Sequence, residues 1–211
     1  MSIEIIDGAA DGAIADWVAD KLRTALHRAG PDGIAITVPG GSTPFPILSD
    51  LVARMPDAGR LDWHRVTVWP GDDRIVREDH PASNVGQIRA LLEPVGAKVV
   101  PLSEGAVPPY FALAWLGMGA DGHIASLFPN TDPRADAAER VVRLTPDPLP
   151  PEAPFDRLSL TIPALIDSDA IMFVIRGADK RALFEAAAMG ANDLPVARLL
   201  AARRQQITCF A

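Results

Sequence analysis

Three glycine-bearing loops hold the residues whose types and spacing could do chemistry. In the first, GGST at residues 40–43, two glycines precede Ser42 and Thr43. Glycine allows close backbone approach to a ligand, and the two hydroxyls stand beside the open N–H groups of a helix start. Gly41, Ser42 and Thr43 therefore read as an anion nest suited to a phosphate monoester. The same residues are also an ordinary way to cap a helix, and the nucleotide pattern GxxxxGK[ST] is absent. The second loop, GDDR at 71–74, sets Asp72 and Asp73 against Arg74. A guanidinium fork grips phosphate or carboxylate through paired N–H bonds, while the carboxylates could orient it or hold a sugar hydroxyl. A solvated turn with surface ion pairs is the plainer alternative. Ser83 and Asn84, at a predicted helix start, could present further hydrogen-bonding groups.

The third loop is GMGADGH at 117–123, a literal GxGxxG. A dinucleotide site needs that pattern in the first βαβ unit, opening a long helix. Here it lies mid-chain, and Pro129 and Pro133 limit any following helix to about two turns. His123, with Asp121 two positions before it, is the stronger signal: histidine is the natural general base near neutral pH, and a carboxylate beside it fixes its tautomer and favours its protonated form. Of the other histidines, His27, His64 and His80, only His80 is placed to reach a ligand. Lys180, after Gly177, could close the cationic side of a phosphate pocket, although a helix lysine is more usually solvated. Arg157 and Asp73 are expected to stand behind these groups. No metal site is expected: the single cysteine, Cys209, rules out a cysteine-built zinc centre and an intrachain disulfide framework.

Positioning these loops requires a sheet. Ile14, Trp17/Val18, Leu22 and Leu26 recur at helical spacing over 10–29, stopped by Gly30 and Pro31. Strands are predicted at 3–6, 34–38, 65–69, 98–102, 111–116, 141–144, 158–160 and 171–175, with a last one within 206–210. Helices are predicted at 45–53, 84–92 and 180–189. The run 111–116 is apolar on both faces, as a central parallel strand must be. Strand, loop and helix in repetition predict an α/β, Rossmann-like three-layer sandwich with a mostly parallel sheet, its ligand site beyond the carboxyl ends of the strands. Residues 132–154 read as a surface excursion.

The 211 residues suit one domain, 1–211, with a core large enough to need no staple. Twenty basic against 27 acidic side chains give a net charge of −7, which argues against nucleic acid as a partner. With no long apolar stretch and no basic, apolar start, a cytoplasmic chain without membrane partners is expected, as a monomer or homodimer.

Taken in order, GGSTP (40–44), GDDRxV (71–76), SN (83–84), GMGADGHIASLFP (117–129) and GxxK (177–180) resemble the 6-phosphogluconolactonase family over nearly the whole chain. The resemblance implies hydrolysis of 6-phospho-D-glucono-1,5-lactone to 6-phosphogluconate, with no metal or organic cofactor and a small sugar-phosphate lactone as partner. It implies His123 as the base that activates water, Ser42, Thr43, Arg74 and Lys180 at the phosphate and substrate, and Asp72 and Asn84 in the pocket. The related amino-sugar phosphate deaminases/isomerases share the fold, but continue after the histidine with Ala-Phe-Asn-Glu-Pro where this chain has ASLFP (125–129). A non-catalytic sugar-phosphate binder is the remaining alternative. The chain departs from the pattern at Asp73, usually Glu, at Arg77, where proline is common, and at PVAR (195–198), usually Pro-Ala-Ser. It also lacks the helix that usually precedes the strand 111–116. A parallel crossover of about eight residues from Leu102 to Phe111 is sterically cramped, pointing to a missing segment or a different pairing.

Overall fold

The computed structural model describes residues 2–53, 61–151 and 153–211. Its main sheet has seven strands, all parallel, in the order β1 (Ile3–Ile6), β10 (Ile207–Phe210), β9 (Ile171–Val174), β6 (Phe111–Leu116), β2 (Ile34–Val38), β3 (Val66–Pro70), β5 (Lys98–Val99). Each face carries its own core. On one, α1 (Asp11–Ala29), α2 (Pro44–Ala53) and α3 (Asn84–Leu92) pack Ile14, Val18, Leu22, Ile47, Leu51 and Ile88 against Leu113 and Trp115 of β6. On the other, α4 (Ile162–Leu165), α5 (Ala178–Ala188) and α6 (Pro195–Ala202) bring Leu165, Phe184, Val196 and Leu199 to Phe111, Ala114 and Leu116. That division explains why 111–116 shows no polar position. Each buried Leu, Ile, Val or Phe side chain among these contributes about 1.5–3 kcal/mol by leaving water.

The predicted strands and helices correspond to these elements, with ends shifted by a few residues. Three elements escaped the sequence reading: α4, α6 and β4 (Asp72–Arg74). β4 belongs to a separate antiparallel sheet, β4-β8-β7, with β8 at Arg157–Leu160 and β7 at Val141–Leu144. What read as a polar loop is thus a strand paired with one more than 80 residues away, Asp72 facing Ser159 and Arg74 facing Arg157. The expected two-turn helix after His123 does not form; turns and one 3-10 turn at Pro129–Thr131 replace it.

The short crossover is accommodated by a different pairing. Among the described residues β5 pairs with β3 alone, and it is only two residues long. Lys98 lies level with Thr67, Thr67 with Ala35, and Ala35 with Phe111. The chain therefore leaves β5 almost level with the start of β6 and need not run back along a full strand. It crosses three strand spacings, about 15 Å, which eight extended residues span with ease. Beside it, a groove of about 670 Å³ lined by Ala35, Thr67, Trp69, Val100 and Tyr110 lies open at the amino ends of the strands.

Candidate active site

At the opposite end, the carboxyl ends of β2, β3, β6 and β9 surround a cleft of about 310 Å³. It is lined by Gly41, Ser42, Thr43, Asp72, Arg74, Asn84, Gly119, His123, Arg176 and Lys180, among others. Three loops read separately from the sequence thus converge on one space. The cause is topological: these strands are all parallel, so the loops that leave them emerge at the same edge of the sheet.

The nest lies between β2 and α2. Gly41 has φ +97°, a backbone conformation open to glycine and rarely to other residues, and it turns the chain so that Ser42 and Thr43 face the cleft at the helix start. Neither hydroxyl bonds to another group among the described residues.

β4 holds Asp72 and Arg74 on the cleft wall. The Arg74 guanidinium donates through Nη1 to Asn84 Oδ1 at 2.7 Å and to the Ala82 carbonyl at 3.2 Å. Asn84 Nδ2 in turn donates to the Asp72 carbonyl oxygen at 2.8 Å and to its Oδ1 at 3.3 Å, and the Ser126 hydroxyl donates to Asp72 Oδ2. Asp73 points the other way. Only 7% exposed, it accepts from the backbone N–H groups of Arg74, Asn84 and Val85 at 2.8, 2.6 and 3.0 Å and so anchors the start of α3. Burial pushes its carboxyl above the usual value, against those three donors, with Asp72 nearby adding to the rise. Ser83 caps the same helix, accepting from Gly86 N at 3.0 Å. Arg157, 3% exposed, sits behind Arg74 and donates to the Ala153 carbonyl at 2.9 Å. Burial and then the Arg74 charge lower its affinity for its proton.

His123 leaves the glycine-built turn after β6. Its Nδ1–H donates to Asp121 Oδ1 at 2.6 Å, and its own backbone N–H donates to the same oxygen at 3.2 Å. A neutral imidazole so held carries its proton on Nδ1 and leaves Nε2 as the acceptor. Asp121 responds in kind. Burial alone would raise its carboxyl, but the charge of His123 and its hydrogen bonds outweigh that and hold it below the usual range. Phe128 leans on the imidazole at 4.8 Å between ring centres. Gly119 is required by contact: a Cβ there would lie 2.2 Å from the His123 ring. Beyond the histidine, Ala125 adopts φ +50°, and the turn it makes carries Ser126 to Asp72.

Lys180, in the first turn of α5, donates from Nζ to the Met118 carbonyl at 2.9 Å and lines the cleft. His80 does not reach it; its ring packs on Phe155 at 5.2 Å. Asp73 and Arg157 are not among the lining residues. Arg176 lines the cleft and was overlooked, although its signal was legible: a basic residue at a strand end, just before the glycine that opens α5.

The fold and cleft are those of an α/β protein with its site at the carboxyl ends of a parallel sheet, and comparison with known proteins gives its family. The family model described as glucosamine-6-phosphate isomerases/6-phosphogluconolactonase matches residues 8–107 and 97–209, two segments that meet at the shortened crossover. A 6-phosphogluconolactonase of Neisseria meningitidis serogroup A is 32% identical over 231 residues, covering 96% of this chain and 94% of that protein. One from Caulobacter vibrioides is 35% identical over 219 residues, covering 92% and 89%. Among solved structures, a 6-phosphogluconolactonase from Shewanella baltica shares the fold, with TM-score 0.81 at 24% identity over 99% of this chain and 97% of that one. A putative one from Neisseria gonorrhoeae has TM-score 0.78 at 27% identity, covering 99% and 98%. The chain belongs to the glucosamine-6-phosphate isomerase/6-phosphogluconolactonase family. Among the described residues, no helix is long and apolar enough to cross a membrane.

Proposed function

We propose that this protein hydrolyses 6-phospho-D-glucono-1,5-lactone to 6-phosphogluconate with water activated by His123. The observation that carries the reading is the His123–Asp121 pair at 2.6 Å, which leaves Nε2 basic on the wall of a cleft that also holds an anion nest and cations. The C1 carbonyl of a lactone is already electrophilic, so the reaction calls for a placed water, a base and donors for the developing oxyanion, without a metal or organic cofactor. His123 Nε2 takes the proton as water adds to C1, and the same nitrogen returns it to the ring oxygen as the C1–O bond breaks. The imidazolium formed in between is stabilised by Asp121. Gly41, Ser42, Thr43, Arg74 and Lys180 bind the phosphate, and that remote binding orients C1 toward the base. Asp72 and Asn84 face the sugar, Asp73 and Arg157 hold β4 and α3 in place, and the protein works in the cytoplasm.

The test is hydrolysis of the freshly made lactone by purified protein, followed by acid release against the spontaneous rate, with and without a chelator. Acceleration undiminished by the chelator is expected. A rate equal to the blank, or a loss on chelation restored by a divalent ion, overturns the reading.

A further inference from the structure

The cleft holds one cation more than phosphate capture through Arg74 and Lys180 requires. Arg176 lies two residues past the end of β9 and four residues before Lys180, across the start of α5. Its Nη2 donates to Asp11 Oδ1, the first residue of α1, at 2.8 Å. The two side chains are 40% and 42% exposed, so the pair is screened by water and does little for stability. Its geometry differs from that of two other exposed arginine pairs of this chain. Arg77 and Arg134 each give two nitrogens to one carboxylate. Arg176 gives one, leaving Nε and Nη1 without a bond among the described residues while the side chain lines the cleft.

The charge balance points the same way. Among the described residues, Arg74, Arg176 and Lys180 face a single lining carboxylate, Asp72, in a chain of net charge −7. A local cationic cleft in an acidic protein concentrates field on a dianion. Lys180 has one donor committed to the Met118 carbonyl, so a planar guanidinium beside it supplies the paired donors that phosphate oxygens accept best.

We propose that Arg176 is a phosphate-binding residue of this cleft, set by Asp11 so that its free edge meets the phosphate of the sugar ester beside Lys180. The proposal rests on the phosphate reading given above and adds a residue that sets affinity and selectivity for the phosphorylated form.

Calorimetric titration with 6-phosphogluconate, gluconate and inorganic phosphate tests it without turnover. Arg176→Ala should weaken 6-phosphogluconate about fivefold or more, weaken inorganic phosphate as well, and leave gluconate unchanged. Arg176→Lys should recover part of the loss, and Asp11→Asn should show a smaller one at unchanged melting temperature. Unchanged 6-phosphogluconate affinity in Arg176→Ala, whether or not the melting temperature falls, overturns the proposal and leaves the pair as a brace between β9 and α1. Wild-type protein that binds phosphate through Arg176 yet fails to hydrolyse the lactone would overturn the lactonase reading alone.

Discussion

Ser126 and Asp72, 54 positions apart in the chain, are joined by a hydrogen bond in which the serine hydroxyl donates to Asp72 Oδ2. The other carboxylate oxygen is met by Asn84 Nδ2 at 3.3 Å. Asp72 is thereby fixed as an acceptor on the cleft wall, both oxygens engaged. A deaminase acting on an amino-sugar phosphate needs ring opening and proton transfer at C2, and thus a free acid–base group beyond His123. With glucosamine-6-phosphate the protein should release no ammonia above the blank, while the sugar phosphate competes with the lactone through the shared phosphate contacts. Ammonia formed in step with fructose-6-phosphate would refute this.

His123→Ala should lower kcat by ~10²–10⁴, the usual worth of a placed base, with the melting temperature nearly unchanged. The side chain is part of a surface turn and belongs to neither core. Stopped-flow rates at saturating lactone decide the matter; a kcat near wild type removes the residue from that role.

Arg74→Ala should act on the phosphate. A charge-assisted bond is worth ~1.5–3 kcal/mol, so kcat/KM for the phosphorylated lactone should fall at least about tenfold. Unphosphorylated gluconolactone should lose far less. Equal losses on both would show that the bonds from Arg74 to Asn84 and Ala82 hold the site together instead.

Asp121 links the site to acid stability. Its carboxyl is held below the usual value in the folded chain, whereas the unfolded chain titrates near ~3.9. The stabilisation is therefore complete above the unfolded value and is lost as pH falls through the depressed folded one. Asp121→Asn should melt slightly below wild type at neutral pH, and the gap should close in acid. Because Asp121 is half exposed, the gap is small. A gap that widens toward low pH would contradict the assignment.

Cys209 lies on β10 in the second core, 1% exposed, and burial pushes its thiol up to about 12. A thiol-reactive dye should leave the native protein unlabelled at pH 8 and label it fully after denaturation. Rapid native labelling would mean that β10 opens readily.

Local pattern determined much of this protein. The stripe Ile14, Val18, Leu22, Leu26 specifies α1 because every fourth residue returns to the same helix face, and the unbroken apolar run 111–116 specifies a central strand because both sides are covered. The His123–Asp121 pair was legible for the same reason: two residues apart on a tight turn, the partners have little choice but to meet. What tertiary structure alone decided involves partners far apart in the chain. β4 is three polar residues that become a strand only because β8 supplies the ladder, and that pairing turns Asp72 and Arg74 to the cleft and Asp73 toward α3. The eight-residue crossover reads as cramped until the registers of β2, β3, β5 and β6 show how little distance it must recover. His80 and Arg176 make the point from opposite sides. One sits in a polar loop yet packs on Phe155, while the other, overlooked although it stands just past a strand end, is brought to the cleft by the place of β9 beside β6. Hydrophobic period and short-range spacing are local properties of a chain; which loop ends share a cleft depends on strand order, and strand order is settled only when the whole sheet closes.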